Sequence, residues 1–331
     1  MLRHLKAIRA FRKDLHMTRI ERLLSTARPW LADGGLETSL IYHDGLDLPS
    51  FAAFVLYGSD GGRAALRRYF ERYIDVAQAH GTGFVLDTAT WRAGTRWGRA
   101  LGYDEAAIRS INAEAIQFAE ELRRQHETEA TPIVINGIVG PSGDGYVVGA
   151  ELPAAEAEAL HRAQVGALAE AGADLITATT MNHAGEAIGI VRAAKAAGVP
   201  VAVSFTVETD GCLPSGQSLA EAIGDTMDAT DGAPVYFMVN CAHPSHFADV
   251  LRGDWVRHVS GVRANASRMS HAELDAATEL DAGDPEEFGQ LSAAFRHVLP
   301  NLRLLGGCCG SDHRHIGCTA RHIGASAHVA A

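Results

Sequence analysis

The sequence predicts a single (β/α)8 barrel, and three observations carry that prediction. Eight short apolar runs rich in β-branched residues alternate with Ala-rich stretches of helical spacing. The runs keep their polar residues at their C-terminal ends, as strands of a parallel sheet covered on both faces do. No dinucleotide-binding or P-loop glycine turn follows the first run, which a doubly wound nucleotide fold would need. The chain has 331 residues, within the usual range for one such barrel.

Strands are expected at 30–35, 83–90, 133–140, 174–180, 201–207, 235–241, 259–264 and 302–307. Helical patterns lie at 62–80, 105–126, 154–171, 184–197 and 218–229, at 285–298, and from 313 onward. Gly81, Gly172 and Gly198 stand where helices end, a position that favours the left-handed conformation glycine tolerates. Ser218 and Glu221 have the spacing of a capping box. No linker and no internal repeat divides the chain, so the barrel is expected over 26–331.

Residues 1–25 read as a basic extension, a disordered or loosely helical arm. MLRHLKAIRAFRKDLHM lacks the apolar stretch and cleavage site of a secretory signal, and Met17 is a second candidate start. No apolar run approaches the roughly 18 residues of a membrane helix. The balance of 29 Lys and Arg against 40 Asp and Glu gives a net charge of −11, which argues against a nucleic-acid binder. Five cysteines without a signal point to free thiols in a reducing cytoplasm rather than a disulfide framework. A homo-oligomer is left open.

In a barrel the chemistry sits at the C-terminal strand ends. Three cysteines fall there: Cys241 in VNCAHP after the sixth run, and Cys308 and Cys309 in GGCCG after the eighth. One strand separates these ends around the ring, so three soft sulfurs can meet at one point, which suits zinc. Consecutive residues of a strand face opposite ways, so both members of the pair reach one ion only where the strand has ended. Gly306, Gly307 and Gly310 permit that. The alternatives are buried apolar cysteines, a strained vicinal disulfide, or a rival cluster of His313, His315 and Cys318. Cys212 and Cys318 read as packing.

These residues resemble the homocysteine S-methyltransferase family. DGGLET, LDTATWRAG, GIVGPSGDGY, SFTVETDGCLPSG, VNCAHP, VRANAS and GGCCGSDHRHI follow the order of the family's motifs, from Trp30 to about Ile323. The resemblance implies zinc held by Cys241, Cys308 and Cys309, with a fourth position open to a thiol. It implies methyl transfer from a small sulfonium or quaternary ammonium donor to a thiol, foremost homocysteine. No stretch suited to a cobalamin or folate domain follows, so a small donor is expected. Asp33 would meet the amino group of the acceptor, and the turn of Gly34, Gly35 and Thr38 its carboxylate.

The sequence departs from the family at Thr179, where a Glu of the ammonium clamp is usual. Ala89 stands where Asn is expected, Trp91 where Tyr is usual, and Glu37 where a small residue is common. Glu37 or Glu208 is the candidate for the missing charge. Trp91, Trp97 and Tyr103 are candidates for an aromatic cage around a cationic donor, although Trp97 and Tyr103 read more readily as packing residues. The missing charge leaves open an acceptor thiol other than homocysteine, and two further readings compete: a zinc hydrolase or lyase with His243 or Glu208 as base, and a non-catalytic thiol- or metal-binding barrel.

Overall fold

The apolar runs pair side by side in chain order. In a computed structural model, which describes residues 17–149 and 151–325, eight parallel strands close into a barrel and β8 returns to β1. They are β1 (Trp30–Leu31), β2 (Phe84–Asp87), β3 (Ile133–Val139), β4 (Leu175–Met181), β5 (Val201–Phe205), β6 (Tyr236–Asn240), β7 (Val259–Ala264) and β8 (Leu304–Gly307). The predicted (β/α)8 architecture is the observed one. β1, expected over 30–35, ends at Leu31, because Asp33-Gly34-Gly35 turns straight into a helix, and β2, expected over 83–90, runs only over Phe84–Asp87.

The helices are α1 (Arg19–Ser25), α2 (Leu36–Tyr42), α3 (Asp60–Ala79), α4 (Thr95–Ala100), α5 (Glu105–His126), α6 (Ala154–Ala171), α7 (Ala184–Ala197), α8 (Leu219–Ala229), α9 (Pro244–Phe247), α10 (His271–Asp275), α11 (Pro285–Ala294) and α12 (His313–Ala325). Gly172 and Gly198 end α6 and α7 at φ 103° and 72°. The Ser218–Glu221 capping box is present at the start of α8. Short α2, α4, α9 and α10 escaped the sequence reading because they bury too little apolar surface to show a period.

Residues 1–16 of the expected extension lie outside the described residues. Residues 17–25 carry α1, started by a Thr18–Glu21 capping box. Ile20 and Leu23 of α1 join Trp30, Val85, Leu175 and Tyr236 in an apolar cluster at the lower end of the strands. Arg19 pairs with Glu127, and Arg303 Nε donates to the Leu24 carbonyl at 2.8 Å, so α1 is fastened to the barrel floor. A larger cluster lies between the strands and the outer helices.

Above the apolar floor the interior turns polar. Asn136 Nδ2 donates to Asp87 Oδ1 at 2.8 Å, and Thr177 Oγ1 to Asn136 Oδ1 at 2.8 Å. Arg263 on β7 pairs with both Asp33 and Asp87. This layer is the base on which the strand ends place the site. Among the described residues no helix is long and apolar enough to cross a membrane.

Candidate metal centre and its cavity

β8 stops at Gly307, so Cys308 and Cys309 follow its last strand residue. Gly310 then turns the chain at φ 79°, a conformation a side chain would strain. Cys241 follows β6 at φ 57°, also left-handed. The sulfurs of Cys241, Cys308 and Cys309 all lie within 4.8 Å of one another, the one group of three potential ligands that converges among the described residues. All five cysteines are free, so the vicinal disulfide is absent.

The rival cluster does not form. His315 is held by Asp312 at 3.1 Å and by the Ala282 carbonyl at 2.8 Å, and Cys318 accepts from Arg321 at 3.0 Å. Cys318 is buried, as its reading as packing implied, whereas Cys212 is half-buried in a surface turn.

The rest of the chain fixes Cys241 closely. Its amide donates to the Arg263 carbonyl at 3.1 Å, and its own carbonyl accepts from Asn265 Nδ2 at 3.0 Å. His271 Nε2 lies 2.6 Å from the same carbonyl, and its Nδ1 lies 3.0 Å from Glu208 Oε1. The Cys308 amide donates to the Ala264 carbonyl at 2.7 Å, and Ala266 donates to the Cys309 carbonyl at 3.1 Å. Tyr146, in the loop after β3, brings its hydroxyl to 3.2 Å from Cys241 Sγ and 4.0 Å from Cys309 Sγ. Its ring packs against His271, centroids 4.4 Å apart.

Three thiols this close cannot all ionise without a cation. Hydrogen bonds from Cys241 and Cys309, helped by the Arg263 charge, hold the Cys308 thiol well below its ordinary value. Hydrogen bonding with Cys308 pushes Cys241 up, and hydrogen bonding with Cys241 and Cys308 pushes Cys309 up. The donor set therefore suits a soft divalent cation, which removes the mutual repulsion and lets all three ionise.

The cysteines sit in a cavity of about 260 Å³ at the C-terminal mouth of the barrel, lined also by Asp33, Glu37, Trp91, Arg92 and Thr179. Of the residues predicted to bind substrate, Asp33, Gly34, Gly35, Thr38 and Thr179 line it. Their bonding differs from the expectation. Asp33 is 2% exposed, paired with Arg263, and accepts from Tyr69 at 3.0 Å. The Gly35 amide already donates to the Ser311 carbonyl at 3.0 Å, and Thr38 Oγ1 accepts from the Gly310 amide at 3.2 Å. Both glycines also serve close approach. A Cβ on Gly34 would lie 2.6 Å from the Ser311 carbonyl oxygen, and one on Gly35 2.6 Å from that of Cys308. Glu208 does not line the cavity and pairs with His271, behind Cys241.

The three-ring cage is corrected. Trp91 lines the cavity, but Tyr103 packs edge-on against Phe54, centroids 5.3 Å apart. The Arg92 guanidinium lies 4.0 Å from the Trp91 ring and 3.8 Å from the Trp97 ring, so this chain's own cation fills the space between the indoles. The bases of the hydrolase reading are also committed elsewhere. His243 caps α9 through Ser245 and is absent from the cavity wall, and Glu208 is bound by His271.

A family model described as homocysteine S-methyltransferase matches residues 30–323. The chain belongs to the homocysteine S-methyltransferase family. It is a methyltransferase, and thiol methyl transfer is the family's chemistry. The chain is 29% identical over 240 residues to the homocysteine S-methyltransferase of Escherichia coli (strain K12), covering 67% of this chain and 74% of that protein. It is 27% identical over 263 residues to methionine synthase of Mycobacterium leprae (strain TN), covering 76% of this chain but only 20% of that much longer protein. In fold it is similar to the crystal structure of the homocysteine methyltransferase MmuM from Escherichia coli in its oxidised form. The TM-score is 0.72 at 21% identity, covering 92% of this chain and 99% of that one. The metallated form of MmuM gives a TM-score of 0.69 at 21% identity, covering 90% of this chain and 98% of that one.

Sequence reasoning assigned no role to Tyr146, Arg92, Arg263 or His271. Tyr146 lies in the GPSGDGY segment, whose glycines mark an exposed loop without saying where it folds back. Arg263 was visible at the end of a strand, but its two carboxylate partners are more than 170 positions away in the chain.

Proposed function

We propose that this protein is a zinc-dependent S-methyltransferase that moves a methyl group from a small sulfonium or quaternary ammonium donor to a thiol, homocysteine foremost. The observation that carries the reading is the convergence of Cys241, Cys308 and Cys309 at the mouth of a barrel of this family. Bound by these residues, zinc supplies a Lewis acid that lowers the pKa of an incoming thiol from near 8.5 into the neutral range.

The chain's own residues do the rest. Asn240 and the left-handed Cys241 aim one sulfur, and the turn after Gly307 aims the other two. The cavity wall holds acceptor sulfur and donor methyl in line, and such positioning is worth several kcal/mol of barrier. In the transfer, the acceptor S–CH3 bond forms as the donor's C–S+ or C–N+ bond breaks. A neutral thioether or tertiary amine leaves, and the acceptor's thiol proton passes to water. Tyr42, Phe51 and Trp91 place aromatic surface on the cavity, which suits a cationic methyl donor.

The test is a methyl-transfer assay with the purified, reduced, zinc-loaded protein. Homocysteine and other thiols are offered with S-methylmethionine, S-adenosylmethionine and betaine, and products are followed by mass. The reading expects methionine from homocysteine with at least one of these donors. No methylated thiol from any pairing would reject it.

A further inference from the structure

The cavity holds several charged side chains, and most are already committed. Asp33 and Asp87 share Arg263. Asp144 Oδ1 accepts from the amides of Tyr146 and Val147 at 2.8 and 3.0 Å. Asp281 accepts from Ser267 at 2.6 Å, and Asp275 and Glu279 are exposed at the rim. Two side chains remain that are in no ion pair among the described residues and are not exposed at the rim.

The first is Glu37, on the first turn of α2, whose carboxylate bonds only its own backbone amide among the described residues. Burial, helped by the nearby Cys308 and Asp33, pushes it up to about 7, against that backbone hydrogen bond and the pull of Arg92. The second is Arg92, 7% exposed. Trp91 and Trp97 cover the faces of its guanidinium, leaving only the edge for bonding. On that edge Nη1 donates to the Gly143 carbonyl at 2.8 Å, and the buried Nε has no partner. Arg92 lies within electrostatic reach of Tyr146, Asp144 and Glu37, and Glu37 within reach of Cys308, Asp33 and Arg92. No ion pair within 4.0 Å joins the two among the described residues. Two opposite charges therefore face one cavity beside the sulfur cluster, held apart.

Resting on the methyl-transfer reading above, we propose that Glu37 and Arg92 are the specificity residues for the acceptor's head group. Glu37 receives the ammonium and Arg92 the carboxylate of an α-amino-acid thiol whose sulfur docks at the cysteines. The neutral Thr179 and the Arg263-bound Asp33 do neither. An edge-on guanidinium is suited to two parallel hydrogen bonds with a carboxylate. A buried cation and a half-buried carboxyl left unpaired carry a standing desolvation cost, which a zwitterion relieves at both ends.

The experiment compares the zinc-loaded wild type with Glu37→Gln and Arg92→Gln. The probes are homocysteine, 4-mercaptobutanoate, which lacks the amino group, and 3-aminopropanethiol, which lacks the carboxylate. Binding is read by calorimetry, metal content by elemental analysis, and KM for acceptor and donor separately. Glu37→Gln is expected to weaken homocysteine about tenfold or more and to leave 4-mercaptobutanoate unchanged. Arg92→Gln is expected to weaken homocysteine by a similar factor and to leave 3-aminopropanethiol unchanged. Metal content and donor KM stay at wild-type values. Should Arg92→Gln fail to fold, Arg92→Lys, which keeps the charge but not the fork, is expected to show a smaller loss of the same selectivity. Equal weakening of all three thiols, a shift in donor KM alone, or unchanged homocysteine binding would overturn the assignment. A wild type that binds zinc but methylates no thiol would instead bring down the functional reading on which it rests.

Discussion

Asn240 of β6 and Thr180 of β4 are joined by two reciprocal hydrogen bonds although β5 lies between their strands. The Thr180 amide donates to Asn240 Oδ1 at 3.1 Å, and Asn240 Nδ2 donates to Thr180 Oγ1 at 2.8 Å. Ser204 of β5 adds a third bond to Oδ1 at 2.6 Å. Thr180 and Cys241 both hold left-handed backbone, at φ 64° and 57°. One carboxamide thus ties three strand ends beside the first sulfur of the cysteine cluster.

Asn240→Ala removes that tie while leaving every cysteine in place. The buried Thr180 amide and Ser204 hydroxyl lose a partner, at a cost of about 1–3 kcal/mol. The loosened Cys241 is expected to lower metal affinity about 10- to 100-fold, as loss of outer-shell support generally does. Urea unfolding and a competitive zinc titration measure the two effects.

Arg263 is the only cation bonded to Asp33 and Asp87 among the described residues. Arg263→Met leaves two buried carboxylates without it, and a loss of about 3–5 kcal/mol is expected. Adding Asp33→Asn to the same chain recovers part of that loss, because one unpaired charge is gone. A double-mutant cycle by denaturant unfolding reads the coupling. Strict additivity of the two substitutions would show that the pair is not a unit.

Gly35→Ala is expected to destabilise the protein by about 1–3 kcal/mol, because the new Cβ overpacks the turn. It presses on Thr38 Oγ1 and on the Cys308 carbonyl oxygen, the latter 2.6 Å away, so zinc affinity should fall with stability. Thermal unfolding with and without added zinc checks this. A Gly45→Ala control meets nothing within 4 Å and carries only its left-handed backbone penalty, at φ 66°.

The strand ends were legible because the chemistry follows from local pattern. Apolar runs closed by polar residues marked the mouth, and the glycines around Cys308 and Cys309 marked a strand that had ended. The head-group contacts were not legible in the same way. Asp33 reads as a free carboxylate until Arg263 is placed beside it, and Trp97 reads as a free ring until Arg92 is placed against it. Both outcomes depend on which long side chain fills a space first. Glu37 was named from its position, but its lack of an ion pair among the described residues appears only in three dimensions. In α1, Ile20 and Leu23 offered too short a period to outweigh the basic residues before them.

A pH prediction follows from Glu186, on α7. Burial works against its charge, but hydrogen bonds from His161 at 2.7 Å and from the Ser142 amide at 2.8 Å outweigh it, holding its pKa below 4.5. A carboxylate depressed in the folded state adds stability above its unfolded value near 4.5, and that stability is lost as pH falls through the folded value. Glu186→Gln is therefore expected to cost about 1–3 kcal/mol at pH 7 and to flatten the fall in stability below pH 4.5. Because Ser142 begins the loop that carries Tyr146, the variant should also weaken thiol binding. Unfolding midpoints across pH 3 to 7, at about half-unit steps, measure the slope.

The most direct test is zinc stoichiometry in Cys308→Ala beside Cys318→Ala. The wild type and the Cys318 variant are expected to hold about one zinc per chain and to methylate a thiol. The Cys308 variant is expected to keep its fold by circular dichroism while losing both metal and turnover. Full zinc content in Cys308→Ala, or thiol methylation without bound metal, would contradict the account.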